Sequence, residues 1–245
     1  MVIIIGALLL SMIPALLFYF WFRKMKKEDL EYQKLCQKSL VNGLLATLPV
    51  AGCAFILQIV GSLTGILKGN PLIAEAYKDI VLAALVEEVA KFFMFSLVIK
   101  KTQYGYSWRD LIIFMTLVGL GFELLESLVY VIESNVVQIL VRGLTMMHGG
   151  YGFIMGYFYG KARYTGKKIN YIAAFLIPFL LHGIYDFTLS PEVNELSEYM
   201  AFIPVTLAFV GLVLVFVMIR FFRKKGKQEK YTTPIAGLQS SAAEE

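Results

Sequence analysis

The stretch VIIIGALLLSMIPALLFYFWF, residues 2–22, followed at once by RKMKK, residues 23–27, decides the class of fold. A helix needs about 20 mostly apolar residues to cross the hydrocarbon core of a bilayer. This run meets that length without a charge. A secretory leader would begin with basic residues and carry a shorter apolar run, so the stretch reads as a retained first helix with a basic stop. Six further runs of similar character follow, at 40–61, 79–99, 111–132, 138–160, 170–189 and 200–220. Composition agrees over the 245 residues: 58% are hydrophobic, 17% are charged and the mean hydropathy is +0.68. A soluble domain holds about 45–50% apolar and about 25% charged residues. The expected fold is an all-α, polytopic transmembrane helical bundle of about seven spans. Disordered, collagen-like and disulfide-scaffold classes are excluded. Cys36, in an expected loop, and Cys53, in an apolar run, read as free thiols.

The net charge of +5 is a matter of topology. Segments 23–39, 100–110, 161–169 and 220–230 hold 19 Lys and Arg, whereas the alternate segments 62–78, 133–137 and 190–199 hold 2. Basic residues mark cytoplasmic loops, which puts the N-terminus outside and the C-terminus in the cytoplasm. No nucleic-acid surface is called for; the bilayer itself is the partner. Residues 1–230 are expected to form one integral membrane domain, with the acid-bearing spans at about 79–189 as its core. The small, polar stretch 231–245 reads as a disordered tail or cloning remnant. Trp21, Tyr19 and Trp108 suit interfacial anchors, and Gly152, Gly156 and Gly160 form a small-residue ladder for close helix packing.

Apart from the end residues of the expected spans, nine ionisable residues fall inside them: Glu87, Glu88, Lys91, Glu123, Glu126, Arg142, His148, His182 and Asp186. A charge at the centre of a span costs about 2.5–3.5 kcal/mol on insertion scales, so such residues line cavities or pair. Spacings of three and four residues put Glu87 and Glu88 with Lys91, Glu123 with Glu126, and His182 with Asp186 on common helix faces. At 1.5 Å per residue, Glu87 and Glu88 lie roughly 12–14 Å below the outer end of their span, Glu123 about 14 Å and Glu126 about 9 Å. His148 lies roughly 15 Å, His182 roughly 10 Å and Asp186 about 5 Å below theirs. Helices of alternating direction thus bring their polar groups to one slab in the outer half of the bilayer. Five acids face two bases, and a buried net −3 needs either a divalent cation or extra protons. A cation would activate water; a carboxylate of raised pKa would serve as general base or acid. Glu133 lies near the interface and reads as solvated.

These residues resemble the motifs of the PrsW family of intramembrane proteases. Glu87-Glu88-Val89-Ala90-Lys91 matches the family's EExxK signature. Phe122 with Glu126 resembles its second motif, Arg142 to His148 continuing into Gly152–Tyr157 its third, and His182 to Asp186 its last. The resemblance spans about residues 85–187, four motifs in order. Departures are Ser127, where Asn often follows the motif Glu, and the additional acid Glu123. The family is similar to the CAAX prenyl proteases and bacteriocin-processing enzymes, with first motif EExxxR and last motif HxxxN or HxxxD.

The resemblance implies a bundle of eight-helix type with its site inside a bacterial cytoplasmic membrane. It implies endopeptidase cleavage of a single-pass membrane protein, an anti-sigma factor cut first on the extracytoplasmic side in a stress-response pathway. The same resemblance makes Glu87 or Glu88 the base, with Glu87 favoured. His148 and His182 orient water, bind metal or stabilise the oxyanion. Glu126 is a second acid or ligand, and Asp186 holds His182 or, if protonated, itself touches the oxyanion. Lys91 and Arg142 balance charge, and Glu123 is open between site and structure. A metal set of His148, His182 and Glu126 suits zinc by residue type, and a metal-free glutamic mechanism stands beside it. Two other classes share the intramembrane acids: a proton- or cation-coupled transporter, disfavoured by the lack of a repeat and of a pair of broken helices and by a site off the midplane, and a non-catalytic membrane binder or immunity protein.

Overall fold

The computed structural model describes residues 2–100, 104–130, 135–196 and 202–235. Among the described residues the α-helices order as α1 Val2–Lys24, α2 Leu30–Leu45, α3 Thr47–Leu63, α4 Pro71–Ala76, α5 Val86–Ile99, α6 Trp108–Tyr130, α7 Val136–Thr145, α8 Met147–Thr165, α9 Ile169–Leu189, α10 Pro191–Asn194, α11 Phe202–Lys224 and α12 Glu229–Thr232. Between α4 and α5 the chain stays helical but winds as a π-helix over Tyr77–Leu85. Glu133 lies outside the described residues.

Among the described residues, five helices are long and apolar enough to cross a membrane: Ile3–Lys24, Leu30–Leu63, Trp108–Val129, Ile169–Leu189 and Phe202–Lys224. The two other expected spans, 79–99 and 138–160, are the interrupted ones. The first changes from π to α winding at Val86. The second breaks at Met146, which takes φ +42° and ends α7 just before α8 begins. A left-handed backbone at a residue with a side chain costs roughly 1–2 kcal/mol, and such strain gathers at functional sites. The expected 23–39 loop is mostly helix α2, which runs into α3 as one 34-residue rod. Cys36 is therefore a buried helix residue rather than a loop residue, while Cys53 is exposed on α3; both are free thiols.

Helix α6 is the axis of the bundle. Of its span 78% is buried, against 11–28% for the other four. Leu111, Ile112, Ile113, Phe114, Met115, Leu117, Val118 and Leu120 are all enclosed, chiefly by α8 and α2. The outer helices instead carry exposed side chains such as Phe55 and Ile56 on α3 and Phe209 and Phe216 on α11, as a lipid solvent allows. The expected glycine ladder lies on the α6–α8 seam. A Cβ on Gly152 would stand 2.6 Å from the Met115 carbonyl oxygen, and one on Gly156 2.8 Å from the Ile112 Cα. The absence of side chains is what lets these two backbones approach.

Two expectations change. Trp108 is no interfacial anchor: it is buried, and its indole N–H donates to the Tyr157 carbonyl at 2.8 Å. Tyr19 is likewise buried. The first five residues of the expected tail are docked. Tyr231 is enclosed against Trp108 and Phe221, Pro234 bridges to Ser107, and the Ile235 N–H donates to the Tyr106 carbonyl at 2.8 Å.

Candidate active site

The nine ionisable residues do meet, carried by α5, α6, α7, α8 and α9. The first turn of α5, directly after the π-helix, presents Glu87 and Glu88, and Lys91 follows one turn on. Lys91 is fully enclosed. Its ammonium donates to Glu88 Oε1 at 2.7 Å and to Glu87 Oε2 at 3.4 Å, and it stands 2.8 Å from His148 Nδ1. A charged Lys91 can only donate, so the His148 proton is left on Nε2, facing Glu126. Phe122 on α6 closes over the ammonium with its ring centroid 4.2 Å away and meets the His148 ring edge to face. That contact gives the Phe of the second motif a physical role, since its π-face covers a cation that is sealed from bulk solvent.

His148 is held twice. Its Nε2 lies 2.5 Å from Glu126 Oε2, which also accepts from Arg142 Nη2 at 2.7 Å. Its backbone N–H, exposed by the break at Met146 at the start of α8, donates to Glu123 Oε2 at 2.9 Å. The first N–H groups of a helix lack intrahelical acceptors and favour an anion. Glu123 thus accepts at the start of α8, whereas Glu126 touches the imidazole. Arg142 sits on α7, not on the helix of His148 as one continuous span would have it.

His182 on α9 faces carboxylates from both nitrogens. Nδ1 is 3.0 Å from Glu88 Oε1; Nε2 is 3.0 Å from Asp186 Oδ2 and 3.8 Å from Glu87 Oε2. The rings of His148 and His182 stand 5.0 Å apart at 79°. Donor atoms of Glu87, His148 and His182 lie within 4.8 Å of one another. The group so formed differs from the expected set of His148, His182 and Glu126: Glu87 lies with the two histidines, while Glu126 Oε2 faces Arg142 and His148. Three nitrogen and oxygen donors with an open side match a catalytic zinc site by type. Seating a cation takes one His148 nitrogen from its present partner, Lys91 or Glu126.

The cluster opens into a cavity of about 510 Å³ between α6, α7, α8, α9 and the π-helix. Its wall holds residues the sequence reading passed over: Glu75, Asp79, Tyr151 and Tyr185. Asp79 is carried by the π-helix, and π segments recur at functional sites. At the mouth, the hydrogen bond from Lys78 to Glu75, 2.5 Å long, holds the lysine above its ordinary range. Tyr151 had a legible signal, since it follows His148 by three residues and so shares its helix face. Asp79, at the end of the expected span 79–99, reads as an interfacial acid, and the π winding shifts its register relative to Glu87.

A family model described as PrsW family intramembrane metalloprotease matches residues 33–219. A Protease PrsW of Geobacillus kaustophilus is 32% identical over 181 residues, 71% of this chain and 75% of that protein. A Protease PrsW of Bacillus subtilis is 28% identical over 77% of this chain and 84% of its own length. One from Oceanobacillus iheyensis reaches 40% over 110 residues, 43% of this chain and about half, 51%, of that protein. No solved structure matches.

Proposed function

The chain belongs to the PrsW family of intramembrane metalloproteases, and from that membership we propose that it hydrolyses a peptide bond of a second membrane protein at the Glu87–His148–His182 cluster. The observation that carries the reading is the convergence of these three donors, two of which, His148 and His182, line a cavity of about 510 Å³. Glu87 is the base of the acidic pair. Glu88 is sealed, with Oε1 committed to Lys91 and His182, whereas Glu87 keeps longer contacts and groups with both histidines. Water bound there gives its proton to Glu87 and its oxygen to the scissile carbonyl carbon; the C–N bond then breaks and the amine leaves with a proton. Asp186 holds the orientation of His182, and Glu126 with Glu123 holds His148. A divalent cation such as zinc on Glu87, His148 and His182 would lower the pKa of that water and polarise the carbonyl.

The basic-loop asymmetry supports an outer-half position for this slab. The cut then falls on the extracytoplasmic side of a single-pass protein, in keeping with an anti-sigma factor as substrate. The test is co-expression of the chain with a tagged candidate substrate. A shortened product with wild type, absent with Glu87→Gln while the protein still inserts, is expected. Equal cleavage by Glu87→Gln and by the Glu87→Gln/Glu88→Gln double variant would sink the mechanism.

A further inference from the structure

We propose that Tyr151 is a catalytic residue of this site: its phenol hydroxyl donates a hydrogen bond to the carbonyl oxygen of the scissile peptide as that oxygen gains negative charge. The proposal rests on the protease reading above and concerns a group that reading does not use.

Tyr151 lies on α8, one turn beyond His148, and lines the cavity. Its ring stacks on His182 at 5.2 Å and 24°, and meets the edge of His148 at 5.9 Å. The residue is 1% exposed, yet its hydroxyl has no hydrogen-bond partner among the described residues. A buried hydroxyl left without a partner is destabilising, and a Phe would fill the same ring position without that cost. A donor kept under those terms, beside both histidines, fits a partner that arrives with the substrate. Of the neighbouring cations, Lys91 is bound to Glu87, Glu88 and His148, and Arg142 donates through Nη2 to Glu126. Glu88 Oε2, another buried atom here without a partner, is a carboxylate oxygen and cannot hold an oxyanion.

The experiment compares purified wild type, Tyr151→Phe and Glu87→Gln on the substrate found by co-expression. It also measures binding of a phosphinate that replaces that substrate's scissile bond. Loss of one oxyanion donor slows turnover by about 10²–10³-fold. The expected result for Tyr151→Phe is a kcat lower by that factor, a KM within about twofold of wild type and phosphinate affinity lower in proportion to kcat. Its melting temperature should be unchanged or higher. A kcat within about threefold of wild type overturns the proposal. So does a fall in kcat accompanied by a lower melting temperature, because the hydroxyl would then be structural. Wild-type cleavage that Glu87→Gln abolishes and Tyr151→Phe retains removes the role of the hydroxyl alone. A wild type that cleaves nothing removes the protease reading and this proposal together.

Discussion

Gly119→Ala tests whether backbone approach is what places His148. A Cβ at Gly119 on α6 would stand 2.1 Å from the His148 carbonyl oxygen, where ordinary contact begins near 3.4 Å, so α6 and the start of α8 must part by about 1.3 Å. The obstacle is main chain at both sides and cannot rotate away. Overpacking of this kind costs about 1–3 kcal/mol, and a backbone obstacle puts it at the upper end. The better helix propensity of Ala returns about 1 kcal/mol, which leaves a net loss of roughly 2 kcal/mol. The catalytic loss is larger. The same shift carries the imidazole out of hydrogen-bond reach of Glu126 and Lys91, now at 2.5 and 2.8 Å. A misplacement of about 1 Å costs roughly 10²-fold in rate. The assay is thermal unfolding in detergent beside substrate cleavage, with Gly52→Ala as control. Nothing lies within 4 Å of a Cβ at Gly52, so that variant gains about 0.5–1 kcal/mol and keeps full activity. If Gly119→Ala melts with wild type and cleaves at more than a third of its rate, the seam does not set the site.

Lys91→Met leaves Glu88 buried without its cation, and breaking a buried pair from one side costs about 3–5 kcal/mol; chemical denaturation should show that loss, and a variant as stable as wild type would refute the charge balance. Removal of divalent metal by a chelator should abolish cleavage, and zinc should restore it; full activity of the metal-stripped protein would favour the glutamic mechanism. In a Cys53→Ser background, Asn135→Cys and Asn194→Cys should react with an impermeant thiol reagent applied outside, whereas Thr165→Cys should not; reversed labelling would overturn the outer-leaflet placement.

Much of this was legible along the chain, because a bilayer imposes strong local rules. Length and hydropathy marked α1, α6, α9 and α11, since a backbone in lipid must satisfy its own hydrogen bonds as helix. The expense of a charge in hydrocarbon singled out the acids, Lys91, Arg142 and both histidines, and they do meet. What remained was decided by three-dimensional packing. The left-handed turn at Met146 divides one apparent span, frees the His148 N–H for Glu123 and puts Arg142 on a separate helix. The π winding before Val86 brings Asp79 to the cavity wall. Trp108 and Tyr231, which composition assigns to an interface and a tail, pack on each other because contacts distant in sequence enclose them. Which acid faces which histidine also follows from helix rotation and from the close approach at glycines. Residue spacing sets the face of one helix, but only the neighbour packed against it decides that Glu87, rather than Glu126, joins the two histidines.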